Sequence, residues 1–458
     1  MKALNRDILR LAIPSILANI TVPLVGMVDI AVAGHLDGSA AVFIGGISIG
    51  TMLFDLLYWN FSFLRTSTGG MTAQAYGRGD MHSAAAILIR SVGTSVAIAL
   101  VCILVQWVFV DFVFLFVQCS PQVRALAEIY FHIRIWAAPA TLTLMALKGW
   151  FIGMQDSVSP MIADLIVNFG NVFLSIVLAM GFSAGGWHYS GMGFAGIAVG
   201  TLAVQYSGLI FALAVILIRY RKVFSGFPAA DIPALFRGEG MKSYFRMNTD
   251  LFIRSMCMLA IYSGMTAISA RYGDMMLAVS TILVQLMMIF SYFTDGFAYA
   301  GEALTGKYTG MRNREAVKST VKHIFAWSIG VAAAFIFLYG FCGRPMLQLL
   351  TSDKAVVDAA MAFILWLVPM PVLGCAAFTW DGIYVGATAS RPIRNSSIWA
   401  MAGFFAVWFA GRAIWKTDMA ADPAISVHIL MAAYMVHILI RFVYQTALYR
   451  RSILDRII

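Results

Sequence analysis

The sequence predicts an all-α polytopic membrane protein: about twelve transmembrane helices in two pseudo-symmetric six-helix lobes around a central cavity. Three observations carry that expectation. Of 458 residues, 61% are hydrophobic and only 12% charged, far more apolar surface than a soluble core needs. Apolar runs long enough to cross a bilayer, about 20 helical residues for about 30 Å of hydrocarbon, recur along the whole chain. Short motifs also recur in the same order in both halves, at an offset near 230–245 residues.

The spans fall near 9–33, 41–68, 83–109, 123–150, 159–181 and 191–218, then 246–270, 276–304, 319–341, 356–386, 394–414 and 425–448. This divides the chain into a first lobe over 1–218, a cytoplasmic linker over 219–246 and a second lobe over 247–458. The linker is where the apolar pattern lapses, with Pro228, Pro233 and glycines among bases, and short amphipathic turns around Ile232–Phe236. Six spans per lobe is an even number, so both lobes enter from the same side, as in transporters built on a parallel repeat. The repeated motifs include Asn5-x-Asp7 with Asn248-x-Asp250, and Gln74-Ala75-x-Gly77 with Glu302-Ala303-Leu304-x-Gly306. Trp136-x-x-Pro139 and Gly149-x-x-x-Gly153 are answered by Trp366-x-x-Pro369 and Gly382-x-x-x-Gly386.

The first span holds one interior charge, Asp29, six residues after Pro23. A carboxylate at membrane depth costs about 2.5–3.5 kcal/mol on insertion scales and marks a functional site by default. Pro23 deletes a helix hydrogen bond and sets a kink that membranes tolerate beside other helices or a wet cavity. The second span adds Asp55 and Arg65, the latter able to neutralise a carboxylate on a facing helix. In the fifth, Asp164, Asn168, Asn171 and Ser175 share one helical face, as interhelical glue or as part of a site. In the eighth, Asp295 and Glu302 lie seven residues apart on one face, and Asp381 lies in the tenth. With no obvious base inside the second lobe, these three acids predict an electronegative vestibule, a candidate cation or substrate site. Glu302 has the alternative of snorkelling toward the cytoplasmic surface. The run Leu286-Met287-Met288-Ile289-Phe290 has the re-packing character of promiscuous apolar binders.

The net charge of +10 does not make a nucleic-acid binder, because the bases cluster in alternate loops: Lys2, Arg6 and Arg10, then the linker, Lys307–Lys322 and Arg450–Arg456. The intervening loops carry His35, Asp37, Asp274, Asp353, Asp418 and Asp422. That bias places both termini in the cytoplasm, in an inner membrane, with no removable signal peptide expected ahead of the Asp29 helix. Five cysteines without CxxC spacing and seven scattered histidines give neither a disulfide nor a metal framework. No H-E-x-x-H motif or nucleophile–base pair argues for an enzyme.

With these residues in view, the chain resembles the multidrug and toxic compound extrusion (MATE) family, in particular its DinF-like branch. The resemblance rests on Pro23…Asp29 with Gly34-His35-Leu36, on Arg65-x-Ser67-Thr68 through Gly77, and on Tyr130-x-x-Ile133-Arg134 with Pro139. It rests further on Asp295-Gly296-Phe297-Ala298-Tyr299-Ala300-x-Glu302-Ala303 and on Asp381-Gly382-x-x-x-Gly386-Ala387-Thr388. It implies two six-helix lobes and export of organic cations or amphipathic compounds against an inward proton or sodium flux. Asp29 matches the first-helix carboxylate assigned to proton coupling. Where relatives often carry Asn-x-x-x-Asp in the fifth span, this chain has Asn171…Ser175, which leaves Asp29 to work with Asn171. The resulting expectation is a monomeric multidrug antiporter using H+ and no cofactor or metal. Its rivals are sodium coupling through Asp295, Glu302 and Asp381, and a lipid or glycolipid flippase of the same superfamily.

Overall fold

The computed structural model describes residues 2–36, 39–117, 119–184, 187–225, 232–351 and 353–457. Asp37 and the linker residues 226–231, with Pro228, lie outside them. Twelve helical stretches among the described residues are long and apolar enough to cross a membrane. The chain divides into two compact units, Leu17–Tyr244 and Met1–Ile16 with Phe245–Ile458. The first unit thus ends inside the segment read as a linker, and the first sixteen residues go with the second unit.

Helix α1 runs from Lys2 to Gly34 without a break at Pro23. The first unit continues through α2 (Ala40–Tyr58), α3 (Phe63–Gly77), α4 (Met81–Phe114), α5 (Pro121–Arg134) and α6 (Ala138–Gly153). Then come α7 (Val158–Met180), a two-stranded antiparallel hairpin, β1 (Phe182–Ala184) with β2 (Trp187–Tyr189), and α8 (Phe194–Arg219). The second span is α2 and α3 joined by a single 3-10 turn, and the fourth is α5 and α6 joined the same way. Helix starts follow local chemistry. The Asp80 carboxylate accepts from the Ser83 amide at 2.9 Å at the head of α4, and Ser120 caps α5 just before Pro121. The linker keeps two single-turn helices, α9 (Arg221–Phe224) and α10 (Ile232–Leu235).

The second unit comprises α11 (Glu239–Ala270), α12 (Asp274–Gly310), α13 (Arg314–Leu350), α14 (Lys354–Met361), α15 (Met370–Gly386), α16 (Ser390–Ile414), α17 (Lys416–Ala421) and α18 (Ala424–Ser452). Helix α13 kinks at Cys342 (φ −113°, ψ 16°), three residues before Pro345, whose missing N–H and ring disrupt the preceding turn. The start of α1 packs on α12: a Cβ on Gly296 would stand 2.8 Å from the Ala12 carbonyl oxygen.

The internal repeat is visible in matching helix crossings, each within its own unit. A Cβ on Gly149 of α6 would stand 2.0 Å from the Arg65 oxygen of α3, and one on Gly382 of α15 would stand 2.0 Å from the Ala298 oxygen of α12. Four residues on, Gly153 meets the Gly69 oxygen at 2.7 Å and Gly386 meets the Glu302 oxygen at 2.3 Å. Only residues without a side chain let the backbones come that close. Both pairs share an offset of 233, since 382 − 149 and 298 − 65 agree. The crossings therefore set Gly69 opposite Glu302, where the sequence motifs had suggested Gln74.

Candidate functional site

In the first unit the polar groups of α1, α7 and α8 meet inside otherwise apolar packing. Gly196 and Gly200 on α8 allow the approach: a Cβ on Gly196 would lie 2.3 Å from the Leu178 oxygen, and one on Gly200 would lie 3.0 Å from the Ser175 nitrogen. Asp29, 4% exposed, accepts a hydrogen bond from the Ser175 hydroxyl at 3.0 Å. One turn along α7, the Asn171 amide donates to Thr201 Oγ1 at 2.7 Å, and Thr201 donates to the Ile197 carbonyl. Asn168 donates to Thr21 Oγ1 at 2.6 Å. The α7 stripe thus reaches α1 at two levels, with Ser175, not Asn171, touching Asp29. The buried Asn171 Oδ1 accepts no hydrogen bond among the described residues. Asp164, the fourth member of the stripe, is ion-paired to Lys148 of α6.

A base, Arg134, stands on α5 of the same unit. Arg134, half-buried, donates to the Tyr130 hydroxyl at 2.8 Å and lies 4.7 Å from the Phe54 ring centroid. Its charge acts on both Asp29 and Asp55. Arg65 of α3 donates to Thr66 Oγ1 at 3.1 Å. Pro23 sits half-buried within the helix that carries Asp29.

The second unit corrects the expectation of acids without an intramembrane base. Asp381 is held by two bases: Arg254 of α11 at 2.5 Å and Arg441 of α18 at 2.6 Å, both on Oδ2. Gln445, one turn from Arg441, donates to Asp381 Oδ1 at 2.9 Å and to Ser396 Oγ at 3.2 Å. Arg441 is 2% exposed. The Asp381 carboxylate is thus neutralised by guanidiniums from two helices. Glu302 is 1% exposed, so it does not snorkel to a surface: its α12 backbone is pressed against Gly386. Asp295 is half-buried, 3.4 Å from the Ser291 hydroxyl. Among the described residues no cluster of His, Cys, Asp and Glu is arranged to hold a metal ion.

The sequence reading gave no site role to Arg134, Thr201, Arg254, Arg441 or Gln445. The signal for Arg441 was present, since it is the single charge inside the apolar run 425–448, the same criterion that picked out Asp29. Arg134 similarly lies inside the fourth span, four residues from Tyr130 and so on its face.

Comparison with known proteins places this architecture. The MatE family model matches residues 14–177 and 251–409, one stretch in each half. DNA damage-inducible protein F of Escherichia coli is 31% identical over 416 residues, 90% of this chain and 88% of that protein. A probable multidrug resistance protein NorM of Rhizobium meliloti is 24% identical over 432 residues, covering 90% and 89%. Among solved structures, a MATE protein in complex with MaL6 superposes with a TM-score of 0.82 at 17% identity, covering 97% and 96% of the chains. The Vibrio cholerae MATE transporter VcmN in its bent form gives 0.81 at 13% identity, covering 99% and 98%.

Proposed function

Since the chain belongs to the MATE family of multi-pass membrane transporters, and is therefore no enzyme, we propose that it exports organic cations or amphipathic compounds in exchange for protons, with Asp29 as the protonation switch. The observation that carries the reading is the burial of Asp29 in a membrane span, with Ser175 its single hydrogen-bond donor among the described residues. Burial in low dielectric penalises the ionised form, so closing the helix packing around Asp29 favours taking up a proton. Ser175 suits both states, because a hydroxyl donates to a carboxylate and accepts from a carboxylic acid. Protonation from outside removes the charge that resists closure, and α1 re-packs about Pro23. Release of the proton to the cytoplasm resets the cycle. Exchange follows only when proton and drug prefer different states of the protein, because a ligand with no preference shifts nothing. In this reading the protein sits in the inner membrane with both termini cytoplasmic, acts as a monomer and uses no cofactor.

The ion pairing of Asp381 supports the proton reading over sodium coupling through the second unit, because its carboxylate oxygens are already engaged by Arg254, Arg441 and Gln445. The test is ethidium efflux from proteoliposomes under an imposed pH gradient or, separately, a sodium gradient. Proton-driven efflux that disappears in Asp29→Asn supports the proposal. Sodium-driven efflux that survives Asp29→Asn removes it.

A further inference from the structure

The end of the second unit that carries the α11–α12 and α16–α17 turns holds three bases that the transport reading does not use. Arg271 follows the last residue of α11, Arg412 lies in the last turn of α16, and Lys416 opens α17. Their side chains line one cleft of about 400 Å³, together with Tyr272, Met419 and Pro423. Met419 is 3% exposed, and Tyr272 packs edge-on against Trp408 at 6.1 Å between ring centroids, so the apolar part of the cleft is fixed by packing. Among the described residues every ion pair of this unit uses another base, and Arg271, Arg412 and Lys416, all exposed, make none. Of the acids in these turns, Asp274 opens α12 and Asp422 accepts the Ala424 amide at 2.9 Å at the head of α18, and neither lines the cleft.

Helices α11 and α16 both end at this cleft and touch within the span at Gly264, where a Cβ would stand 3.2 Å from the Phe405 ring. Each chain presents its arginine seven residues beyond that contact, since 271 − 264 and 412 − 405 agree. Seven residues are two helical turns, about 10 Å, so Arg412 returns to the face of Phe405 and stands nearer the helix end. Phe409, one turn before Arg412, stacks on Phe405 at 6.3 Å and is 59% exposed. Ile414 and Trp415, where the span ends, are 66% and 44% exposed, and tryptophan at a helix end marks the headgroup level. An exposed aromatic face thus leads out of the span to three unpaired bases at the membrane surface. A free anion needs only the bases, whereas an anion carrying acyl chains uses both parts. We propose that the cleft binds the phosphate headgroup of an anionic phospholipid whose chains lie along the Phe405–Phe409 face of α16. The two guanidiniums match phosphate oxygens in bidentate fashion and Lys416 adds a point charge, so the bound lipid joins the end of α11 to the α16–α17 corner. In the orientation proposed above, that lipid belongs to the outer leaflet.

The test is the thermal unfolding midpoint of the full chain in dodecyl maltoside at low salt, titrated with dioleoyl phosphatidylglycerol, dioleoyl phosphatidylcholine or inorganic phosphate. Wild type stands beside Arg271→Gln, Arg412→Gln, Lys416→Gln, the triple variant, and a control with Arg221→Gln, Lys222→Gln and Arg237→Gln, exposed bases elsewhere in the chain. Every substituted side chain is exposed, so the variants are expected to fold, which their midpoints without lipid verify. Phosphatidylglycerol is expected to stabilise wild type at concentrations where phosphatidylcholine and phosphate do not. Each single substitution is expected to raise the half-saturating phosphatidylglycerol concentration about fivefold, and the triple variant about a hundredfold. The control is expected to titrate as wild type does. A triple variant that titrates like wild type, a control that loses as much, or phosphatidylcholine that stabilises as well overturns the proposal. Inorganic phosphate that matches phosphatidylglycerol at equal concentration assigns the cleft to a free anion and overturns the lipid.

Discussion

Replacing Asp381 with asparagine leaves Arg441, 2% exposed, as a buried cation without its anion. Breaking a buried ion pair by removing one partner costs about 3–5 kcal/mol, because the survivor keeps its desolvation penalty and loses the attraction. Arg254, whose side chain is 26% exposed, regains water and adds little. The carboxamide still accepts from Gln445 but cannot serve two guanidiniums as a carboxylate does. Asp381→Asn is therefore expected to lower the unfolding midpoint in mild detergent, followed by tryptophan fluorescence, by an amount in that range. Adding Arg441→Met to Asp381→Asn removes the stranded charge and is expected to recover a large part of the loss. Arg254→Met alone is expected to cost much less than Asp381→Asn. The reasoning fails if Asp381→Asn keeps wild-type stability while abolishing sodium-driven efflux, which would make Asp381 a cation ligand instead of a structural anion.

Ser175→Ala removes the hydroxyl on Asp29 and is expected to slow proton-driven efflux about tenfold, the equivalent of roughly 1.4 kcal/mol, at unchanged protein abundance. Gly196→Val drives a side chain into the Leu178 carbonyl and is expected to destabilise the packing of α7 on α8 by about 1–3 kcal/mol in the same thermal assay. Asp80→Ala is expected to cost about 1 kcal/mol through loss of the α4 cap, whereas Asp80→Asn, an equally good cap, is expected to be nearly neutral. The Ser83 hydroxyl, then its amide, hold the Asp80 carboxyl below its ordinary range. Because the folded pKa is depressed, that part of the stability is present above the unfolded value of about 3.9 and is lost as pH falls through the folded one. Wild type and Asp80→Ala are thus expected to converge in acid, by a small amount given the solvent around this residue.

Much of the architecture was legible because the membrane leaves few options: each backbone polar group must be satisfied within a helix, so hydropathy and length delimit the spans. Hence a run such as 425–448 reads directly as the core of α18. Asp29 was legible for the same reason, as a lone charge in an apolar stretch. Partner identity was not legible, because Ser175 and Asp29 are 146 residues apart, and Arg441 and Asp381 are 60 apart, on helices whose rotation depends on packing. A single base inside a span signals that it has a partner without saying which acid it meets. The α7 stripe shows the limit well. Its spacing put Asp164, Asn168, Asn171 and Ser175 on one face, yet their partners, Lys148, Thr21, Thr201 and Asp29, come from three different helices. Gly196 and Gly200 let α7 and α8 approach closely, and in that packing Asn171 meets Thr201 while Ser175 meets Asp29.

The most direct measurement of the central claim is the proton release on ethidium binding to the purified protein in weakly buffered detergent, with wild type beside Asp29→Asn. If Asp29 exchanges a proton for drug, wild type releases up to about one proton per bound ethidium near the pH where the site titrates, and Asp29→Asn releases none. Equal release from both proteins, with ethidium bound in each, would contradict the account.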